Sequence, residues 1–359
     1  MRVPGSEAAV NSFAEPQSPD QPAGVSGELP SALPPNQQRV FVAGASGYIG
    51  QHLVRELLAQ QYEVVCFVRE QCKADFGQAQ VRMGNVCDAA SVAADGFRGE
   101  RFDAVFSCLS TRSGGVQDAW AVDHQANLNL LAAAGQGGVN RFVLLSAICV
   151  QKPRLAFQQA KLAFEHALMA SGLDYSIVRP TAFFKSLSGQ VEAVQRGKRF
   201  MVFGDGGLTA CKPIAEADLA RFLVSCLKDA DKRNAILPIG GPGAAITPLE
   251  QGELLFDLCG KPARFRHIPP GLFSAIITLL APLSRVIPAL RDKAEFARIG
   301  RYYATESMLW LNPATGEYDA NATPSCGSIT LQDHYSRVLR DGMSGQELGQ
   351  HALFHSEKK

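Results

Sequence analysis

The sequence predicts an α/β fold, a doubly wound parallel sheet with a smaller C-terminal α/β region. Three observations predict it. The apolar run 39–43 leads directly into Gly44, Gly47 and Gly50, and a helical period follows. Short strands that are apolar throughout then alternate with helical stretches as far as Pro180, the pattern of a parallel sheet covered on both faces. After about residue 185 that alternation stops. Together these describe the Rossmann architecture, whose ligands sit at the carboxyl ends of the strands.

Each element follows from its residues. Residues 39–43 read as a buried strand, and Leu53, Val54, Leu57 and Leu58 give 51–60 a helical face. Strands follow at 63–68, 81–83 and 104–109, then a helix over 127–134. A strand at 141–146, a helix at 160–171 and a strand at 175–178, ending in Arg179-Pro180, continue the series. Beyond it, glycine-rich turns at 204–207 and 240–243 separate helices expected at 216–228, 248–259 and 270–281.

Composition sets the outer bounds. The chain has 359 residues, 46% hydrophobic, enough for a substantial core. A net charge of +1 gives no reason to expect a nucleic-acid partner. Nine scattered cysteines form no CxxC pair, so buried free thiols are expected rather than a metal or iron–sulfur site. Residues 1–38 are rich in Pro, Ser, Gly, Gln and Glu and are expected to be a disordered tail. That tail has no apolar core of a secretory signal. Its acids Glu7, Glu15, Asp20 and Glu28, against the single Arg2, speak against a transit peptide. A bacterial cytoplasm is therefore expected ahead of a plastid. The apolar stretch 268–290 is broken by Pro269, Pro270, Pro282 and Pro288 and charged by Arg285. It reads as a core helix, or as a surface facing an apolar ligand or a bilayer interface, rather than as a span.

The glycines between strand and helix carry the first chemical reading. Glycine permits a tight turn and close approach of a pyrophosphate, which the following helix N-terminus attracts. Gly44, Ser46, Gly47, Tyr48, Ile49 and Gly50 are the candidate loop. The second strand ends in Arg69, where an NAD enzyme usually places an acid for the ribose 2′-hydroxyl. Arg69 suits a 2′-phosphate, with Ser46 adding a hydroxyl, so the expected cofactor is NADPH. Glu70 would be the acid if the register slipped by one. The domain reading is then a tail (1–38), a dinucleotide-binding part (39–185), and a substrate-side region (186–359) interleaved with it.

These motifs resemble the short-chain dehydrogenase/reductase superfamily in its extended or atypical branch. Asn85-Val86 is similar to its adenine-contacting Asp-Val, and residues 122–131 to its V-N-x-x-G-T-x-N-L-L helix, with Asp123 in place of Asn. The family's Y-x-x-x-K pair is matched by Phe157-Gln-Gln-Ala-Lys161. Lysine is present and tyrosine is not. Phe157 has no proton to give to a forming alkoxide, which argues against carbonyl reduction. The resemblance implies that Lys161 holds the nicotinamide ribose or delivers a proton. It places Ser146 at the family's catalytic serine, where a strand-end cap is the alternative. His124 and His166 lack ligand spacing and are expected to be structural.

Longer strings, at 144–153, 176–187, 237–243, 247–252 and 299–304, resemble the iron–sulfur-free divinyl chlorophyllide 8-vinyl-reductase family. That resemblance implies NADPH-dependent reduction of an 8-vinyl to an 8-ethyl group on divinyl chlorophyllide or protochlorophyllide. Such a flat pigment needs aromatic walls, for which Phe157, Phe183 and Phe184 are the candidates. Another alkene or isoflavone-type reductase, or a non-catalytic NADP(H)-binding subunit, are the alternatives. A peripheral membrane contact is left open.

Overall fold

A computed structural model describes residues 38–111, 114–287 and 289–342. The tail expectation at 1–38 lies, apart from Gln38, outside the described residues. Seven parallel strands form one sheet in the order β3-β2-β1-β4-β5-β6-β8. They are β1 (Arg39–Ala43), β2 (Glu63–Val68), β3 (Gln80–Met83), β4 (Ala104–Ser107), β5 (Arg141–Leu145), β6 (Asp174–Pro180) and β8 (Ala235–Ile239). The four residues of β4 and the five of β5 are all buried, as strands covered on two faces must be.

Alternation along β1 divides the core. Val40 and Val42 face Leu53, Leu57, Leu219 and Leu223, which come from helices Tyr48–Ala59 and Glu216–Ser225. Phe41 and Ala43 face Leu130, Ala134, Phe164 and Leu168, from helices Asn127–Gln136 and Ala156–Met169. Each such fully buried aliphatic or phenylalanine contributes about 1.5–3 kcal/mol.

The structure departs from the sequence expectations in three places. The helix expected at 127–134 begins at Val116 and passes through a π-helical stretch, Trp120–Ala126. The widened turn there breaks the 3.6-residue period that would have revealed it. The sheet also continues beyond residue 185, because β8 pairs with β6. Pro238 hid that strand, and it is tolerated because β8 lies at the sheet edge. Finally, Pro282 lies inside helix Gly271–Val286 instead of ending it.

The C-terminal part has its own core. Strands β7 (Phe200–Phe203) and β9 (Phe265–Ile268) pair in parallel beside helix Pro248–Leu258 and helix Leu331–Asp341. Phe184, Phe200, Phe256 and Tyr335 fill the space between them.

Helix Tyr48–Ala59 sits on the turn after β1 with no room to spare. A Cβ on Gly50 would overlap the Gly44 carbonyl oxygen, and one on Gly44 (φ +78°) would lie 2.6 Å from the Cys108 carbonyl. Gly50→Ala should therefore displace backbone rather than a flexible side chain. We expect a loss on the order of 5 °C in Tm, by differential scanning calorimetry. An unchanged Tm would show that the helix can shift freely.

Candidate active site

The β1 turn builds a place for an anion. Gly47 N–H donates to the Gly44 carbonyl at 3.0 Å, closing the loop. Gly47 is the N-cap of helix Tyr48–Ala59 and offers no side chain to its first turn. The first amides of this helix thus keep their capacity for a phosphate oxygen. Ser46 is half-buried beside them. Ile49 contributes only backbone here, because its side chain is in the core. The Tyr48 hydroxyl is already engaged, donating to Glu216 Oε2 at 2.8 Å. Burial pushes the Glu216 carboxyl up, but its own amide, Tyr48 and the nearby His52 and His334 bring it below its ordinary value. Tyr48 therefore ties the loop helix to helix Glu216–Ser225.

A cavity of about 600 Å³ opens past the ends of β2 and β3. Arg69, Glu70, Asn85, Asp88, Ser91 and Asp95 line it. Asn85 Oδ1 accepts from Cys87 N–H at 3.0 Å, which folds this turn into an Asx turn. Val86 is held from behind, its carbonyl accepting from Asn129 Nδ2 at 3.0 Å. Arg69 and Glu70 share the rim, so both a cation and an acid can reach an adenosine ribose placed there. The glycine cradle, the uncapped helix end and this cavity fit a dinucleotide.

At the ends of β4 and β5 a second group of side chains converges. Lys161 lies on helix Ala156–Met169 with its side chain only 8% exposed. Its Nζ stands 2.9 Å from Asp123 Oδ1, an ion-pair distance without the angles of a hydrogen bond. It also donates to the Leu109 carbonyl at 3.5 Å. Asp123 is fully buried within the π-helical stretch. Burial pushes the Cys108 thiol up to about 12 and the Cys149 thiol up to about 11, with Lys161 opposing both shifts. Both thiols are thus protonated at neutral pH and are not nucleophiles.

Ser146 is turned elsewhere. Its hydroxyl donates to Glu165, which is fully buried and ion-paired with Arg179. Phe157 packs with Ile148, Cys149, Leu155 and Tyr302. The Tyr302 hydroxyl donates to the Cys149 carbonyl at 3.0 Å, fastening helix Ala289–Thr305 over the strand ends. The next residue, Tyr303, is 38% exposed, and its hydroxyl is within hydrogen-bond reach of the Cys149 thiol. Burial pushes that hydroxyl well above its ordinary value.

The structure thus brings Phe157 and Lys161 together with Cys149 and Tyr303, and it separates the other two aromatic candidates. Phe183 packs partly buried against the core of helix Tyr48–Ala59. Phe184 is 1% exposed, with its ring 5.1 Å from His334, so it belongs to the C-terminal core and cannot be a cleft wall. Adjacent residues leaving β6 face opposite ways, which the doublet Phe183-Phe184 could not reveal. Sequence reasoning missed Glu165, Arg179 and Tyr303. Glu165 carried one signal, since it follows Lys161 at i+4 on the same helix face.

A parallel sheet in this order, with a glycine cradle and a buried lysine at the strand ends, defines a nicotinamide-dinucleotide-dependent oxidoreductase. The NAD(P)H-binding family model matches residues 44–230. An NADPH-dependent quinone oxidoreductase from Escherichia coli, solved with NADPH, shares the fold at TM-score 0.61 and 18% identity, over 83% of this chain and 99% of that one. The chloroplastic divinyl chlorophyllide a 8-vinyl-reductase of Oryza sativa subsp. indica is 50% identical over 339 residues, 90% of this chain and 84% of the relative. That of Zea mays is 50% identical over the same shares. The chain belongs to the divinyl chlorophyllide a 8-vinyl-reductase family. The expectation of a bacterial cytoplasm is corrected by the same relatives. They are named as chloroplastic, which points to the plastid. Residues 1–38 misled because their composition was taken as evidence of address.

The buried Lys161–Asp123 pair should be costly to break from one side. Asp123→Ala leaves a buried cation without its partner, and we expect a loss of about 3–5 kcal/mol in urea unfolding. Adding Lys161→Met should recover part of it. A loss under about 1 kcal/mol for the single variant would mean that water replaces the carboxylate.

Proposed function

We propose that this chain reduces the 8-vinyl group of divinyl chlorophyllide or protochlorophyllide to an ethyl group, with NADPH as reductant. One observation carries the reading beyond family membership: Phe157 stands where a carbonyl reductase needs a phenol, one turn before the buried Lys161. NADPH, when bound, supplies hydride to the substrate. Addition at the terminal vinyl carbon spreads negative charge through a conjugated macrocycle, so no single oxygen calls for an acid at position 157.

The remaining tasks fall to identifiable side chains. Arg69, on the rim of the 600 Å³ cavity, meets the 2′-phosphate. The loop amides at Gly44–Gly50 hold the pyrophosphate, with Ser46 beside them. Lys161, oriented by Asp123 and the Leu109 carbonyl, donates to the nicotinamide ribose. Phe157 offers the macrocycle an apolar wall. Ser146, committed to Glu165, acts as a strut for helix Ala156–Met169. Tyr303 delivers the proton to the inner vinyl carbon: its hydroxyl is protonated at neutral pH, and because the residue is 38% exposed the phenolate left behind regains a proton from water.

The direct test is turnover. Divinyl protochlorophyllide should drive NADPH oxidation with a blue shift of the pigment band, and Arg69→Ala should raise Kd for NADPH at least tenfold while leaving NADH unchanged. Tight NADPH binding with no pigment-dependent oxidation would identify a non-catalytic subunit instead. Tyr303→Phe should lower kcat by about 10²–10³ with NADPH affinity intact. An unchanged kcat would return the proton to water or to Lys161.

A further inference from the structure

Among its described side chains, helix Gly271–Val286 is partly buried at Phe273, Ile277 and Leu280, and it packs chiefly against helix Ala289–Thr305. On that side Phe273 rests on Gly300 and lies 5.3 Å from the Phe203 ring. On the other, Leu272, Ile276 and Leu279 stand in one stripe at i, i+4 and i+7, and Leu279 is 68% exposed. Ile287 and Phe296, close by in sequence, are exposed as well. No ionisable residue occurs from Gly271 to Ser284. A helix that is apolar on its packed and unpacked faces alike is not finished by water. Isolated exposed aliphatics are ordinary, but a continuous group of them marks an interaction surface.

The charge around this surface selects its occupant. Between Lys261 and Thr305 the sequence has eight Lys and Arg against Asp292 and Glu295, an excess of six. The whole chain carries +1, so everything outside this segment sums to −5. Glu295 is buried and spent on Arg298 and the Ala156 amide, whereas Arg264, Arg266, Arg291, Lys293 and Arg301 are exposed. An apolar stripe with exposed cations on the segment before it and on the helix packed against it is complementary to acyl chains beneath anionic headgroups. A second copy of the chain would instead bring six excess positive charges against six. No helix among the described residues is long and apolar enough to cross a membrane. Sixteen residues reach only about 24 Å, short of the roughly 30 Å hydrocarbon core.

We propose that helix Gly271–Val286 lies in the surface of an anionic lipid bilayer, with the Leu272–Ile276–Leu279 stripe among the acyl chains and the flanking lysines and arginines at the headgroups. The test is flotation of the full chain with vesicles of phosphatidylcholine, pure or containing about 30% phosphatidylglycerol. The chain should float with the anionic vesicles alone and lose at least tenfold in affinity in about 0.5 M salt. The double variant Ile276→Glu, Leu279→Glu should lose at least tenfold in vesicle affinity while keeping Tm and NADPH affinity. Wild-type chain that stays at the bottom of the gradient would overturn the proposal, as would a double variant that floats like wild type. A salt-resistant dimer in light scattering that the double variant dissociates would give the surface to a second copy instead.

Discussion

The contact on which the active site depends is backbone against backbone. Gly50 allows helix Tyr48–Ala59 to rest on the Gly44 carbonyl, and Gly44 in turn lies against the Cys108 peptide at the end of β4. No side chain separates these three pieces. Moving any of them would shift the helix end that faces a phosphate and also the Leu109 carbonyl that Lys161 reaches. The pyrophosphate cradle and the nicotinamide end of the site are thus set by one small region of atom-to-atom packing. Tyr48 and Glu216 fasten its outer side.

Around this contact the fold places carboxylates where water does not reach. Lys161 with Asp123, Arg179 with Glu165, and Arg337 with Glu216 each pair a buried carboxylate with a cation. Pairs of this kind add little net stability, since desolvation cancels most of the attraction, but they fix orientation. The first aims a lysine across the strand ends, the second holds Ser146 against helix Ala156–Met169, and the third anchors the partner of Tyr48. Position rather than stability is what they contribute.

The fold was legible because its signals are local. Gly44, Gly47 and Gly50 lie within a single turn, and the strands around them are apolar without interruption. The candidate site was legible only where one residue carried the message, as with Phe157 in place of tyrosine. Asp123 was visible as an exception to a motif but not as the partner of Lys161, because a π-helical stretch brings it there. Tyr303 reaches the Cys149 thiol from a helix far along the chain, a juxtaposition that no spacing rule predicts. Phe184 failed as a candidate for the opposite reason, since its neighbour Phe183 looks identical in sequence and faces another core. The apolar character of 271–286 was plain from composition, whereas its exposure depended on what the rest of the chain left uncovered.

The edge strand β8 has a consequence for the molecule's company. The Ile239 carbonyl accepts from Thr181 N–H on the β6 side, so alternation turns the ring nitrogen of Pro238 outward. Just beyond, Gly240 bonds to Pro324 and Cys326, which cover the end of that edge. The row of free donors that invites another chain to add a strand is therefore interrupted at one position and occupied at the next. On this side templated growth is blocked over Pro238 and Gly240, which helps to protect a chain rich in buried β-forming segments from edge-to-edge aggregation.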